Sequence, residues 1–230
     1  TDFKYLRKVW KSNTEEECLL GVSLTGVMDH SVLSKTVDSP RWLEEMRDVA
    51  VTTNQKYASL LKIPTSAAIT CVKPSGTVSQ LVAAASGSHA RHNDYYIRTV
   101  RGDNKGPLTQ FLKEQGVYSE SCVMKPDSVT VFSFAMKSPE SAVIRTQMTA
   151  IEQLELWKTY AIHWCEHKPS VTITVKEHEW MEVGAWVYEN FDVASGVSFL
   201  PHSDHTYQQA PYQDIEREDY LEWQQERGKL

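Results

Sequence analysis

The alternation of strand-like and helix-like segments is the feature that most restricts the folds open to this chain. Residues 20–24, 67–72 and 170–175 have alternating or continuous apolar residues over a few positions, which is typical of strands. Residues 39–60 and 140–167 have apolar residues at intervals of three and four, which is typical of amphipathic helices. Strands that alternate with helices predict an α/β fold in which helices cover a sheet.

The first long helix has a clear start and a clear end in the sequence. Ser39 and Pro40 suit its first turn, because serine caps free amides and proline fits the first helical position, and Pro64 ends it. The apolar face of this helix is predicted to hold Trp42, Met46, Val49, Thr53, Tyr57 and Leu60. The longest helix is predicted over residues 140–167. Four tryptophans fall on helical patterns and are predicted to be core residues: Trp157, Trp164, Trp180 and Trp186.

Composition and charge exclude several classes of protein. The 230 residues contain no internal repeat and no linker-like run, so we predict one domain, or part of one, over residues 1–230. The net charge of −6 argues against a general nucleic-acid binder. The sequence has neither a run of about 18 apolar residues nor a signal peptide, so no membrane association is expected. Four scattered cysteines without a CxxC pair favour reduced thiols in the cytoplasm.

The most informative local pattern is an apolar strand that runs directly into a loop of small and hydroxyl-bearing residues, 73–79. Gly76 lets the backbone approach a ligand closely, and a helix that starts after the loop would direct free amides at an anion. The side chains that offer hydroxyl donors or positive charge are Ser75, Thr77, Ser79 and Lys73. This pattern suits a phosphate site, but it also suits an ordinary strand-to-helix turn with capping hydroxyls, and it is not a Walker A sequence.

Basic residues in two later loops are further candidates. Loops after strands often carry function, and an ordinary surface turn is the alternative in each case. His202 lies beside Asp204 and His205, where a metal-binding, general-base or cofactor-packing role and an inert loop are all open. The candidates for the vicinity of a substrate or cofactor in the earlier loop are His89, Arg91 and His92.

One histidine pair has a spacing that can bind zinc. His163 and His167 are four residues apart in a predicted helix, with Cys165 between them. No third ligand follows at a recognised spacing. We therefore predict a solvated helix end and no metal site.

Seven segments of the chain, in order, carry a resemblance to a known family. They are residues 20–29, 73–81, 86–92, 95–101, 168–175, 186–192 and 195–201. These segments resemble the adenosylcobalamin-dependent (class II) ribonucleotide reductases, and specifically their monomeric, triphosphate-reducing type and its phage relatives. Ser88 and Ala90 stand where the family usually has isoleucine and proline, a mild departure.

The resemblance implies a fold and a role for the loop. These reductases have a ten-stranded α/β barrel, of which this chain resembles the C-terminal part. Adenosylcobalamin generates a thiyl radical on a cysteine in a central finger loop, and two further cysteines reduce the 2′ carbon of a ribonucleotide. By residue-wise comparison, the substrate phosphates are expected at Ser75, Gly76, Thr77, Val78 (through its backbone) and Ser79.

The departures from the family concern the radical chemistry. The chain contains no Asn-Pro-Cys-Gly-Glu type of finger-loop motif, and none of its four cysteines matches a family cysteine. We therefore expect no catalytic residue in this chain and no reductase activity from it alone. The expected partners are the N-terminal and central part of the reductase, which carries the finger-loop cysteine, and a thioredoxin-like reductant. A start without methionine suits a split or truncated chain, located in the host cytoplasm if phage-encoded.

Two other classes of function remain as alternatives. One is a non-catalytic remnant that binds nucleotide phosphates, and the other is an unrelated α/β enzyme that uses histidine and aspartate. No motif of nucleophile and base supports the unrelated enzyme. A fragment that complements a partner should expose a large apolar face, and we expect the partner to add at the strand edges next to residues 19–27.

Overall fold

The computed structural model describes residues 3–76, 78–202 and 207–227. The chain divides into two compact units. The first unit is formed by residues 1–90 and 147–202, and the second by residues 91–146 and 203–230. That residues 1–230 form one incomplete barrel domain stays a prediction.

The described residues contain seven α-helices and eight strands. In chain order they are α1 (Lys8–Glu17), β1 (Val22–Ser23), α2 (Ser39–Leu61), β2 (Thr70–Cys71), α3 (Val78–Leu81), β3 (Tyr95–Asp103), α4 (Pro107–Glu114), β4 (Ser119–Ser121), β5 (Val129–Lys137), α5 (Ala150–His163), β6 (Val171–Val175), α6 (Trp180–Glu189), β7 (Val197–Pro201), β8 (Tyr212–Asp214) and α7 (Arg217–Arg227).

The first unit is built on a row of parallel strands. β1 pairs with β2, and β6 pairs with β7, both in parallel. The backbone N–H of His167 donates to Thr70 O at 3.0 Å, and that of Ser170 donates to Val72 O at 3.1 Å, which places β6 beside the other edge of β2. The two parallel pairs, β1-β2 and β6-β7, therefore adjoin where β2 ends and β6 begins, and helices connect the paired strands, as parallel pairing requires. This confirms the predicted α/β fold.

Apolar side chains of α5, β6 and α6 form the core of the first unit. Leu154, Trp157, Ile173, Val175 and Trp186 are buried there. Trp157 also donates its indole N–H to Pro169 O at 3.1 Å, so the buried ring leaves no polar atom unpaired. The prediction of core tryptophans is confirmed at positions 157, 164 and 186 and is wrong at Trp180, which is 39% exposed.

The predicted bounds of α2 are confirmed, but much of its predicted apolar face is exposed. Trp42 and Val49 on that face are 51% and 66% exposed, whereas Leu43 is fully buried. The side toward α5 is held by polar contacts. Glu44 lies 2.7 Å from His163, and Arg47 donates to Ile162 O at 3.1 Å.

The helix predicted over residues 140–167 is wrong in its extent. α5 begins at Ala150, where Thr149 and Glu152 form a capping box that satisfies the first free amides. Before it, the backbone at Val143 and Arg145 pairs with Arg91 instead of continuing a helix. The apolar spacing upstream of residue 150 therefore does not belong to a helix.

The second unit contains an antiparallel sheet in the order β4-β5-β3-β8. In β3, Tyr96 lies opposite Met136 of β5 on one side and Asp214 of β8 on the other. β3 therefore has antiparallel partners on both sides. α4 is followed by Gly116, whose φ of +76° suits the end of a helix. Within residues 3–76, 78–202 and 207–227, no helix combines the length and the apolar character needed to cross a bilayer.

Candidate functional site: the loop after β2

The candidate phosphate loop leaves the carboxyl end of a buried strand. Thr70 and Cys71 of β2 are almost fully buried, and the loop then reaches the surface at Lys73. A Cβ added to Gly76 would meet no atom within 4 Å, so the space beside this residue is open. Thr77 lies outside the described residues. The short helix α3 follows, and Val78 at its start is 62% exposed.

Serine hydroxyls close the loop. The Ser79 N–H donates to Ser75 Oγ at 2.9 Å, and the Ser79 hydroxyl donates to Ser75 O at 2.7 Å. The Ser75 N–H donates to Ser86 Oγ at 2.8 Å. These bonds match the strand-to-helix turn with capping hydroxyls that the sequence also predicted. Among the described residues the Ser75 hydroxyl accepts a bond and donates none, whereas the proton of the buried Ser79 hydroxyl is used within the loop.

Lys73 is directed toward the start of β6. Its Nζ donates to Lys168 O at 2.6 Å and to Ser170 Oγ at 3.2 Å. Both acceptors are neutral, so the ammonium group keeps a full positive charge at the edge of the loop. This charge is available to attract an anion, although the side chain is already oriented by the two bonds.

Thr25 and Asp29, whose role sequence reasoning missed, bond to the segment that follows α3. Thr25 donates its hydroxyl to Ala85 O at 2.9 Å and accepts the Gly87 N–H at 3.1 Å, while Asp29 accepts the Ala85 N–H at 2.7 Å. Gly87 has a φ of +54°, and a Cβ there would lie 3.0 Å from Lys73 O. The signal in the sequence was the polar pair Thr25 and Asp29 directly after a strand-like segment.

His89 is held at both ring nitrogens by backbone groups of the first unit. Its Nδ1 lies 3.0 Å from Ser86 O, and its Nε2 lies 3.1 Å from Thr172 N. The ring is therefore engaged in linking the loop segment to β6.

Arg91 belongs to the second unit. Its backbone bonds to Val143 and Arg145, its guanidinium donates to the Tyr96 hydroxyl at 3.3 Å, and it is 6% exposed. A residue so buried is not part of a basic surface turn.

His92 also belongs to the second unit, where it stacks on Tyr212 with ring centroids 5.1 Å apart. Its Nε2 lies 3.0 Å from Asp214 Oδ1, and Arg145 lies 2.7 Å from the other carboxylate oxygen. Burial, and next the charge of Arg145, lower the pKa of His92 to about 4, although Asp214 acts in the opposite direction. The imidazole is therefore neutral at physiological pH.

The remaining histidine candidates are separate from the loop. His202 donates its backbone N–H to Val175 O at 2.8 Å and so extends the pairing of β7 with β6. Asp204 and His205 lie outside the described residues. His163 and His167 do not share a helix face, because α5 ends at His163. Among the residues that the structure describes, no group of three His, Cys, Asp or Glu side chains is arranged to hold a metal ion.

The four cysteines are free thiols. Burial, and next the neighbouring Cys71, raise the pKa of the Cys165 thiol to about 12. A thiol with so high a pKa stays protonated at neutral pH and is a poor nucleophile.

Comparisons with known proteins agree on one family. No protein-family model matches the sequence. The adenosylcobalamin-dependent ribonucleoside-triphosphate reductase of Euglena gracilis is 30% identical over 206 residues, which cover 88% of this chain and 28% of that protein. The reductase of the same name from Lactobacillus leichmannii is 28% identical over 191 residues, which cover 81% of this chain and 26% of that protein.

A solved structure shows the same fold. The crystal structure of a B12-dependent (class II) ribonucleotide reductase superposes with a TM-score of 0.83 at 22% identity, over 96% of this chain and 35% of that one. The chain thus spans between about a quarter and a third of the length of the proteins it matches. It is homologous to a part of the adenosylcobalamin-dependent ribonucleoside-triphosphate reductases, which confirms the family resemblance predicted from the sequence.

Proposed function

We propose that this chain is the part of an adenosylcobalamin-dependent ribonucleoside-triphosphate reductase that holds the substrate phosphates, and that residues 73–79 form the phosphate-binding loop. The observation that carries the proposal is the place of this loop. It leaves the carboxyl end of a buried parallel strand, where ligands bind in α/β folds. The names of the homologous reductases supply the substrate class, a ribonucleoside triphosphate.

The chemistry of the loop suits a polyanion. The open space at Gly76 allows a phosphate oxygen to approach the backbone, and the Ser75 hydroxyl retains a proton to donate. Lys73 adds a positive charge. Its two described hydrogen bonds go to a carbonyl and a hydroxyl, not to a carboxylate. Charge-assisted hydrogen bonds of this kind are stronger than neutral ones, so a triphosphate is favoured over a neutral ligand.

The radical chemistry is assigned to the rest of the reductase. The sequence has no finger-loop motif of the Asn-Pro-Cys-Gly-Glu type, and the matched region covers only 28% of the Euglena gracilis reductase. We therefore place the thiyl-radical cysteine, the reducing cysteines and the contact with a thioredoxin-like reductant outside these residues. Free thiols throughout the chain favour a cytoplasmic location.

The edge of β1 and the apolar face of α2 suit a contact with the rest of the reductase. The N–H groups of Leu20, Val22 and Leu24 point toward β2, so the alternation of the backbone puts the polar groups of Gly21 and Ser23 on the opposite edge. Parallel strands are normally covered on both faces, whereas both residues of β1 are exposed. The apolar face of α2 is exposed as well, and we infer that strand and helix elements of the rest of the reductase cover both.

One surface groove of the first unit does not suit adenosylcobalamin, the cofactor of the homologous reductases. The groove lined by Trp42, Glu45, Met46 and Val49 measures about 330 Å³ and lies on one outer helix, which is too small and too open for a corrin ring. In the complete enzyme this cofactor supplies the radical that starts the reaction. We propose that most of its site lies in the rest of the reductase.

Calorimetric titration of the chain with a ribonucleoside triphosphate tests the phosphate assignment. Ser75→Ala removes both the loop-closing acceptor and the free proton, so we expect the Kd to rise about tenfold, the usual effect of losing a hydrogen bond to a charged group. Thr52→Ala is the matched control, because the Thr52 hydroxyl bonds only to Asp48 O on the exposed side of α2. Equal affinities for wild type and Ser75→Ala would contradict the assignment.

A further inference from the structure

His89 connects two segments of the first unit that are far apart in the sequence. Its Nδ1 faces the carbonyl of Ser86, and its Nε2 faces the backbone N–H of Thr172 in β6. A carbonyl only accepts and a backbone N–H only donates, so the ring carries its proton on Nδ1 and presents a lone pair at Nε2. The link requires the neutral imidazole in this one tautomer.

The ring lies where two neighbouring parallel strands separate. The Ser170 N–H still donates to Val72 O, which joins the start of β6 to the end of β2. The next N–H on the same edge of β6, that of Thr172, donates to the His89 ring and not to the backbone that continues from β2. β2 has ended at this point while β6 continues, so the imidazole fills the place beside β6 that the backbone after β2 leaves.

Hydrogen bonds extend from this ring into the loop. Ser86, whose carbonyl holds the imidazole, accepts the Ser75 N–H at its hydroxyl, and Ser75 in turn accepts the Ser79 N–H. A continuous series of bonds therefore runs from Thr172 through His89 and Ser86 to the loop. Movement of the ring changes the position of the serine hydroxyls relative to β6.

We propose that His89 is a positioning residue. Its neutral ring fixes loop 73–79 relative to β6 and thereby sets the affinity of the loop for a triphosphate group. The effect on affinity rests on the proposed function, whereas the placement of the loop does not.

Two variants separate the two bonds of the ring. His89→Ala removes both of them. His89→Asn keeps a donor near the position of Nδ1 for Ser86 O and loses the acceptor for Thr172. We expect amide hydrogen exchange at residues 75–79 of the whole chain to quicken about tenfold in His89→Ala and less in His89→Asn, since each lost hydrogen bond weakens the closed loop. The Kd for inorganic tripolyphosphate, measured where circular dichroism shows both variants folded, should rise in the same order.

His163→Ala is the matched control, because it also removes a paired imidazole, but one that contacts Glu44 between α2 and α5. It should leave both the exchange of residues 75–79 and the Kd unchanged. Unchanged loop exchange in both His89 variants would overturn the positioning role, and so would faster exchange with an unchanged Kd. If the exchange responds to His89 but the wild-type chain binds no tripolyphosphate, the placement of the loop by His89 stands and the proposed function fails.

Discussion

Ser75 illustrates at the scale of one residue why the loop has two interpretations. Its oxygen accepts the Ser79 N–H, as a helix cap does, and its proton has no acceptor among the described residues. Helix capping and phosphate binding both require the Ser75 hydroxyl in nearly the same position. Sequence reasoning therefore identified the residues of the loop and left its two roles unseparated, and it did not identify the Thr25 and Asp29 contacts, which depend on a fold that brings distant segments together.

His92 makes stability depend on pH. Its pKa is about 4 in the folded chain, against an ordinary value of 6.5 when unfolded. Between these values the unfolded chain binds more protons, so the stabilisation is complete above pH 6.5 and is lost progressively as the pH falls toward 4. Urea midpoints across this window should fall more steeply for wild type than for His92→Gln. Parallel curves for the two proteins would contradict the assignment of a depressed pKa to this histidine.

Two glycines of the first unit should respond in opposite ways to alanine. Gly196 has a φ of +69°, and a Cβ there would lie 2.7 Å from Pro169 O, so Gly196→Ala should cost about 2 kcal/mol or more. Gly184 lies inside α6 with no atom within 4 Å of an added Cβ, so Gly184→Ala should gain up to about 1 kcal/mol. Thermal melting of both variants beside wild type measures the difference. A destabilised Gly184→Ala would show that the face of α6 is crowded.

At the scale of elements, α2 shows what an apolar pattern does and does not reveal. The spacing of its residues predicted the helix and its ends correctly, because the start at Ser39 and the stop before Pro64 are local signals. The same spacing did not reveal which surface covers the apolar face. That face is exposed, and α2 contacts α5 through its other side.

Stability measurements distinguish the two sides of α2. Leu43 is fully buried, so Leu43→Ala should cost about 2–5 kcal/mol. Val49 is 66% exposed, so Val49→Asp should change the stability of the chain alone by about 0.5 kcal/mol or less. Denaturant unfolding compares the two. A large loss in Val49→Asp would mean that this face is already buried in the chain by itself.

At the scale of the whole molecule, the sequence predicted the parallel row of the first unit better than the antiparallel sheet of the second. The parallel pairs β1-β2 and β6-β7 could be predicted because strands and helices alternate along this part of the chain. The partners of β3 lie in β5 and in the much later β8, and strand patterns alone do not specify such long-range pairings. The overextended helix at 140–167 has a similar cause, since residues 143–145 pair with the backbone at Arg91.

The exposed face of α2 and the exposed strand β1 bear on the proposed function. Both suit a chain that supplies a phosphate loop and depends on other strands and helices for the radical chemistry. A remnant that only binds nucleotide has no need of either surface. The two functions therefore differ in whether the chain restores activity to the rest of a reductase.

The most direct test mixes this chain with the remaining reductase polypeptide and measures deoxynucleotide formation with adenosylcobalamin and a dithiol, beside each part alone. We predict product only from the mixture, and less product when the chain carries Val49→Asp on the exposed face of α2. The absence of product from a mixture in which this chain is folded and binds a ribonucleoside triphosphate would contradict the account and favour a binding remnant.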